Sequence, residues 1–412
     1  MSYKNKDNFK EIRKISLLLF LYLTQGLPFG FQATALPVYL RTSGVSLSVI
    51  GYSTMLAIPW MLKVLWSPVV DTKWSLKIGR RKSWIIPLQL LMIISLLTAS
   101  RSAHMGLLPL MANLFVMNLI AATQDIAVDG LAVDILGEGE LGYGNAAQVV
   151  GYKGGMIISG GLMVWLSSIT GWGNLFIIMS AVAAFPLILI LFFREESICM
   201  PAPDKMRIGL KDVILYLASS MKLPSFAWLL FFIATYKSGE IMIDVMFKPF
   251  IVDSGFNVSD IGIWVGTYGM AASIAGSAAG GFIASKLTVY RALVCACVMR
   301  LFPLIFITAL TFTAPLPVLV KCSTILEHFF GGILTTALFA FMMKNVDRRI
   351  GATHYTLLAS IEVLGKAPGS FLSGLITDAA GYSFTFVTGT AISFLVIFIL
   401  PVYHSKISKE SL

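Results

Sequence analysis

The stretch "FREESICMPAPDKMRIGLKDV", Phe193 to Val213, is the longest polar segment of the chain and carries Pro201 and Pro203. Prolines this close together break helical pairing, and the flanking charges favour water, so the segment reads as a solvated linker. Working outward, six apolar blocks precede it and six follow. They occupy 15–40, 47–70, 84–100, 106–136, 145–168 and 174–193, then 225–252, 260–284, 290–313, 317–344, 352–377 and 382–403. A run of about 20 apolar residues spans the bilayer core as one helix, which satisfies its own backbone hydrogen bonds. The sequence therefore predicts an all-α polytopic membrane protein. Twelve transmembrane helices form two pseudo-symmetric six-helix bundles, 1–193 and 225–412, joined by the linker 194–224. The composition agrees: 57% of the 412 residues are hydrophobic and only 13% are charged, too few to cover a soluble protein of this length.

Lysine and arginine set the expected orientation. With both termini cytoplasmic, the inner segments hold 22 of these residues and the outer loops hold Arg41 and Arg101. The net charge of +10 thus reflects topology and gives no reason to expect nucleic-acid binding. The first block follows a basic tail and lacks a small-residue cleavage site, so it reads as a signal anchor. Cys199, Cys295, Cys297 and Cys322 make no disulfide or metal-ligand framework. Asn257-Val258-Ser259 is a glycosylation sequon in an outer loop too short and too close to the membrane to favour occupancy.

Each half carries an echo of the other. "LYLTQGLPFG" in span 1 and "IATYKSGEIM" in span 7 both set a polar pair beside a glycine, Gly26 or Gly239. "GYKGGMIISGG" in span 5 and "LGKAPGSFLSG" in span 11 both carry a lysine, Lys153 or Lys366, among small residues. Small residues recur in any packed membrane bundle. The matching lysines favour a parallel internal repeat.

Ionisable groups inside a span are costly, and functional candidates for that reason. They concentrate in spans 4, 7, 10 and 11, whereas spans 3, 6 and 12 hold none and read as lipid-facing. In "ATQDIAVDGLAVDIL", Ala122 to Leu136, Asp125 and Asp129 share one helix face, about 6 Å apart along the axis. Asp134 lies roughly 13 Å beyond Asp125, toward the inner rim. Gln124 and Asp125 are read as facing a central cavity, with a structural ion pair to Lys63 or Lys153 as the alternative for Asp125. Asp134, with Asp129, is read as a partner of the cytoplasmic arginines. Those arginines lie in "WSPVVDTKWSLKIGRRKSWI", where Asp71 ends span 2 and Gly79-Arg80-Arg81-Lys82 opens span 3. Their forked donors suit carboxylates on neighbouring helices, which makes Asp71, Arg80, Arg81, Asp129 and Asp134 a candidate gate.

Asp71 with Gly-Arg-Arg-Lys resembles, in lengthened form, the loop 2–3 signature of the major facilitator superfamily. "KVLWSPVVDTKW", "ATQDIAVDGLAVDIL", "GYKGGMIISGG", "TYKSGE" and "GATHYTLLASIEVLGK" narrow the likeness. They resemble the branch that holds bacterial muropeptide permeases and the acetyl-coenzyme A transporter of the endoplasmic reticulum, and within it a vertebrate orphan subgroup. The likeness spans nearly the whole chain. It implies spans 1, 4, 7 and 10 around a cavity and spans 3, 6 and 9 facing lipid, so Arg300 in span 9 must snorkel or pair inward. It also implies secondary transport by rocking of the bundles, coupled to protons in the permeases.

The expected function is alternating-access transport of an organic anion such as acetyl-CoA or a related acidic metabolite. Gln25, Lys63, Gln124, Tyr152, Lys153, Tyr236, Lys237 and Lys366 are the candidate substrate groups, with Tyr355 beside them. Asp125, Glu240 and Glu327 are candidates to carry a proton. A proton-coupled carrier of a neutral or peptide-like solute, or a non-transporting receptor on the same fold, are the other readings. An enzyme is not expected. The paired motifs of an intramembrane aspartyl protease are absent, and His328 beside Glu327 is more simply a packing residue. No catalytic group, metal site or cofactor is read in the chain, and the expected partners are a small, anionic substrate and lipid, with the protein a monomer.

Overall fold

The computed structural model describes residues 2–36, 40, 53–162, 166, 171–193, 209–256, 262–313 and 315–402. The centre of the linker, Cys199 and the sequon at Asn257 lie outside them. The described residues are almost entirely helical. α1 runs Ser2–Gly30 and continues as a wider turn, Phe31–Ala35. Span 2 is broken into short pieces that include α2, Ile58–Leu62, and α3, Ser67–Thr72. Pro59 and Pro68 each sit in the first turn of one piece, where a missing N–H costs nothing. Then follow α4 Lys82–Met105, α5 Leu107–Ile135, α6 Leu141–Ile157 and α7 Trp172–Phe192. The end of the linker is itself a helix, α8, Leu210–Met221, which its polar flanks concealed in the sequence.

α9, Pro224–Thr235, and α10, Ser238–Asp253, make up span 7, interrupted at Tyr236-Lys237. α11 Met270–Lys286, α12 Val289–Leu310 and α13 Pro317–Lys344 follow. α14, Gly351–Val396, covers both remaining spans and bends at Gly381, whose φ of 81° only glycine adopts freely. Seven segments among the described residues are long and apolar enough to cross a membrane, and the last, at 55 residues, is about twice the length one crossing needs. The protein is an integral, multi-pass membrane protein. Leu90, Leu91, Ile94 and Leu97 on α4, and Ile177, Phe185 and Ile188 on α7, are exposed. Such bands suit lipid and would be a liability in water.

Two compact units result. The first is residues 1–140, 147–213 and 346–356; the second is 141–146, 214–345 and 357–412. The first packs around Phe31, Met92, Leu96, Leu114, Met117 and Phe176, the second around Ile243, Phe250, Leu304, Ile307 and Phe386. Both use glycine for the same close approach. In the first, Gly26 of α1 lies against the backbone of Tyr152 and Gly155 on α6. In the second, Gly365 of α14 lies against the backbone of Ala234 on α9. Spans 1 and 5 thus meet as spans 7 and 11 do, which is what an internal repeat leaves behind.

Candidate functional site

The first unit holds a knot of charge where α3 meets α4. Gly79, at φ 107°, turns the chain back so that Arg80 and Arg81 both reach Asp71. Arg81 is fully buried; its Nη1 donates to Asp71 Oδ1 at 2.8 Å and its Nε to Asp134 Oδ2 at 2.6 Å. Arg80 donates to the same Asp71 oxygen at 2.7 Å. The other Asp71 oxygen accepts from the backbone N–H and the hydroxyl of Thr353, both at 2.7 Å. Burial alone would raise the Asp71 carboxyl; Arg81, Arg80 and Thr353 outweigh it and hold the group below the usual carboxylate range. Arg80 also donates to the carbonyl of Arg349, and Arg348 to that of Leu136 at 2.8 Å. The segment 346–356 is therefore bound to α3, α4 and α5 through side chains and carbonyls of the same unit. A buried guanidinium that bridges two carboxylates by charge-assisted bonds is strong and geometrically exacting.

Deeper in the same unit, Lys63 donates to Asp125, and its ammonium lies 5.5 Å from the centre of the Trp60 ring. Asp125 is thus ion-paired with Lys63, the alternative weighed above. Asp129 departs from expectation. It does not reach the arginines; its Oδ1 accepts from Tyr22 at 2.7 Å and from Gln148 at 3.1 Å. The reason is helical phase. Asp129 stands on the Asp125 face of α5, while Asp134 has turned toward α4. Gln124 departs too. One residue from Asp125, it faces about 100° away and donates to Gln89, which in turn donates to the Ala183 carbonyl at 2.6 Å. It belongs to the packing of α4, α5 and α7. Gln25 is fully buried, and neither amide atom finds a hydrogen-bond partner among the described residues. Tyr152 stacks at 5.9 Å on Phe29 and at 6.3 Å on Trp60, and Lys153 is next to it on α6.

The second unit centres on Arg300 of α12. It pairs inward, and only 2% of its side chain is exposed. Its Nε donates to Glu240 Oε2 at 3.0 Å, its two terminal nitrogens to the carbonyl and the carboxylate of Glu327, and Asp244 lies 3.9 Å away. His328 is paired with the second Glu327 oxygen. Lys237, at the break between α9 and α10, reaches Glu240 at 3.2 Å. On α14, Lys366 pairs with Glu362 at 2.5 Å, and Glu362 also accepts from Tyr236 at 2.7 Å. Glu240, Asp244 and Glu327 present oxygens within 4.8 Å of one another, as a cation site would. Arg300 already bonds to two of them and stands near the third.

Lys63, Asp125, Lys237, Glu240 and Glu327 thus fall into two clusters, one per unit, and Asp71, Arg80, Arg81 and Asp134 into a third. Tyr22, Gln148 and Thr353 were missed as site residues, and Asp244, one of the ionisable residues of span 7, was given no role. The signal of the first three was weak: each is a polar residue of a kind that apolar helices also use for packing.

Comparison with known proteins agrees with this architecture. The profile of the family described as Acetyl-coenzyme A transporter 1 matches residues 14–108 and 97–177. The anhydromuropeptide permease of Escherichia coli (strain K12) is 26% identical over 397 residues, covering 93% of this chain and 79% of that one. A Rickettsia felis transporter named AmpG 4 is 24% identical over 417 residues, covering 97% of this chain and 98% of that one. The crystal structure of the E. coli fucose:proton symporter superposes with a TM-score of 0.72 at 15% identity, covering 96% of this chain and 99% of that one, and is similar in fold.

Proposed function

We propose that the chain is a major facilitator superfamily transporter of the acetyl-coenzyme A transporter-like and muropeptide permease-like kind, and that it carries an organic anion together with a proton by alternating access. The family is one of permeases and not of enzymes. The observation that carries the finer reading is that Lys63, Lys237 and Lys366 are each held by a carboxylate of their own unit. Lysine suits a phosphate or carboxylate as a point charge. An entering anion takes the Lys63 ammonium from Asp125. The displaced carboxylate would then stand unpaired out of water, at a cost of several kcal/mol. A proton forms an O–H bond on Asp125, cancels that charge and travels with the solute; the ion pair re-forms when both leave. Glu240 serves Lys237 in the same way, while Glu327 stays with Arg300 and His328.

In this reading Gln25, Tyr152 and Tyr236 supply hydrogen bonds and ring surface. Both termini are cytoplasmic, and the knot at Asp71, Arg80, Arg81 and Asp134 is the cytoplasmic gate. The protein acts as a monomer. The test is uptake of labelled acetyl-CoA and a panel of organic anions into proteoliposomes, with and without an inward proton gradient. Gradient-driven uptake that fails in Asp125→Asn is the expected result. Anion uptake indifferent to both makes the protein a facilitative carrier and Asp125 a structural acid. A second reading, a peptide-like solute bearing both charges, is favoured by the name of the E. coli relative, an anhydromuropeptide permease, and by the mixed charge of each cluster. Gradient-driven uptake of an anhydromuropeptide with no uptake of simple anions selects it.

A further inference from the structure

Lys63 is the base bonded to Asp125. Asp129 is one helical turn further along the same face of α5. Two carboxylates sharing one ammonium out of water carry one surplus negative charge, and a single proton removes it. The surplus falls on Asp129. Asp125 has the ammonium, whereas the donors to Asp129 are the neutral Tyr22 and Gln148, both on its Oδ1. The other groups packed around this pair are accounted for. Tyr152 stacks on Trp60, the ring beside the Lys63 ammonium, and Lys153 follows it on α6. Arg81 lies against Gly130, next to Asp129, and is engaged by Asp71 and Asp134.

From Asp129 a hydrogen-bonded path leads out. Gln148 gives its N–H to Asp129 and its carbonyl oxygen accepts from Tyr355 at 3.3 Å. Tyr355 is 1% exposed and two residues beyond Thr353, which closes on Asp71. We propose that Asp125 and Asp129 form one proton-binding site, and that Gln148 and Tyr355 carry its state to the segment 346–356 that Asp71 holds. This rests on the transport reading above for its use, since it links a transported proton to a gate, but its test needs no solute. With Asp129 ionised, Gln148 makes a charge-assisted bond and is held square to Tyr355. When a proton forms an O–H bond on Asp129, that bond weakens to an ordinary one, Gln148 is freed to turn, and the segment loosens. Gln148 and Tyr355 are positioning residues in this scheme.

The experiment is hydrogen–deuterium exchange of residues 346–356 in the full-length protein in lipid nanodiscs. It runs from about pH 5 to about pH 8 with no substrate, corrected for the intrinsic pH dependence of exchange. Wild type should lose protection on acidification by about tenfold, the factor between a charge-assisted and a neutral hydrogen bond, along a one-proton curve. Asp129→Asn should hold the low-protection level at every pH. Tyr355→Phe, which keeps the buried ring, should no longer follow pH. His354, in the same segment and accepting from the Asp347 N–H, is the rival titrating group. A response abolished in His354→Gln but intact in Asp129→Asn overturns the proposal, as does a flat wild-type profile or a wild-type response in Tyr355→Phe. None of these failures touches the uptake result, so the two readings fail separately.

Discussion

The two buried clusters meet the same difficulty, more acid than base inside a membrane bundle, by different means. In the first unit, Lys63 is bonded to Asp125, and the second acid on that helix face, Asp129, is met by a phenol and an amide. In the second, the guanidinium of Arg300 bonds to Glu240 and Glu327, Lys237 adds a second base, and Asp244, 30% exposed, is the acid held at longest range. An ammonium is a single point that an anion can take over. A guanidinium with three donor nitrogens engaged is a fixed strut. The difference separates a cluster whose one base can be exchanged from one in which Arg300 is fixed and exchange is left to Lys237.

That contrast breaks most visibly at Arg300. Arg300→Met leaves Glu240, Glu327 and Asp244 together with one lysine, and removing one partner of a buried pair costs about 3–5 kcal/mol. The expected result is the largest fall in melting temperature of any single change considered, with Arg300→Lys recovering only part of it because the fork is lost. A fall no larger than that of Lys63→Met would erase the distinction between strut and exchangeable charge.

Lys63→Met comes next. Asp125 and Asp129 can each take a proton once the ammonium is gone, so the cost should lie toward about 2–3 kcal/mol and shrink in acid. The double change Lys63→Met with Asp125→Asn should return stability to within about 1 kcal/mol of wild type while uptake stays lost, because a neutral pair packs as well but exchanges nothing. A double variant that still melts early would make the pair a structural one. Smaller again is the shared close approach of spans. Gly26→Ala would drive a methyl into the Tyr152 carbonyl, and Gly365→Ala one into that of Ala234. Each should cost about 1–3 kcal/mol. Similar losses in the two units would support the repeat, and a tolerated change in one would show that its helix contact has drifted.

The sequence yielded the parts of this molecule that repeat or that violate local chemistry. Twelve apolar blocks around one polar joint were visible because backbone in lipid must be helical. The knot was visible because Asp71 eight residues before Gly79 is more specific than the topogenic basic cluster that Arg-Arg-Lys alone would suit, and Arg81 does meet both Asp71 and Asp134. What stayed hidden was the facing of single residues. Gln124 and Asp125 are neighbours in sequence yet serve different helices. α12 is apolar nearly all round, so nothing local shows that Arg300 turns inward. Gln148 and Tyr355 are 207 residues apart, and only the fold brings them together. The helix α8 was masked by the prolines before it.

The smallest effect concerns the same segment that Asp71 holds. Asp347 accepts from the backbone and the guanidinium of Arg349, at 3.0 Å and 2.6 Å. Partial burial would raise its carboxyl, but the Arg349 donors outweigh this and set it below its ordinary value. A depressed acid adds stability that is fully present above the unfolded value of about 3.9 and is lost as pH falls through the folded one. Because Arg349 is more than half exposed, the gain should stay below about 1 kcal/mol and fade with salt. Asp347→Asn should therefore leave the melting temperature near neutral pH almost unchanged and flatten only its acid end. Asp71, whose carboxyl is set low by buried arginines, should dominate that acid end instead. If Asp347→Asn removed most of the acid-end slope, the exposed pair and not the buried knot would be the one that secures 346–356, and the weight placed on Asp71 would have to move.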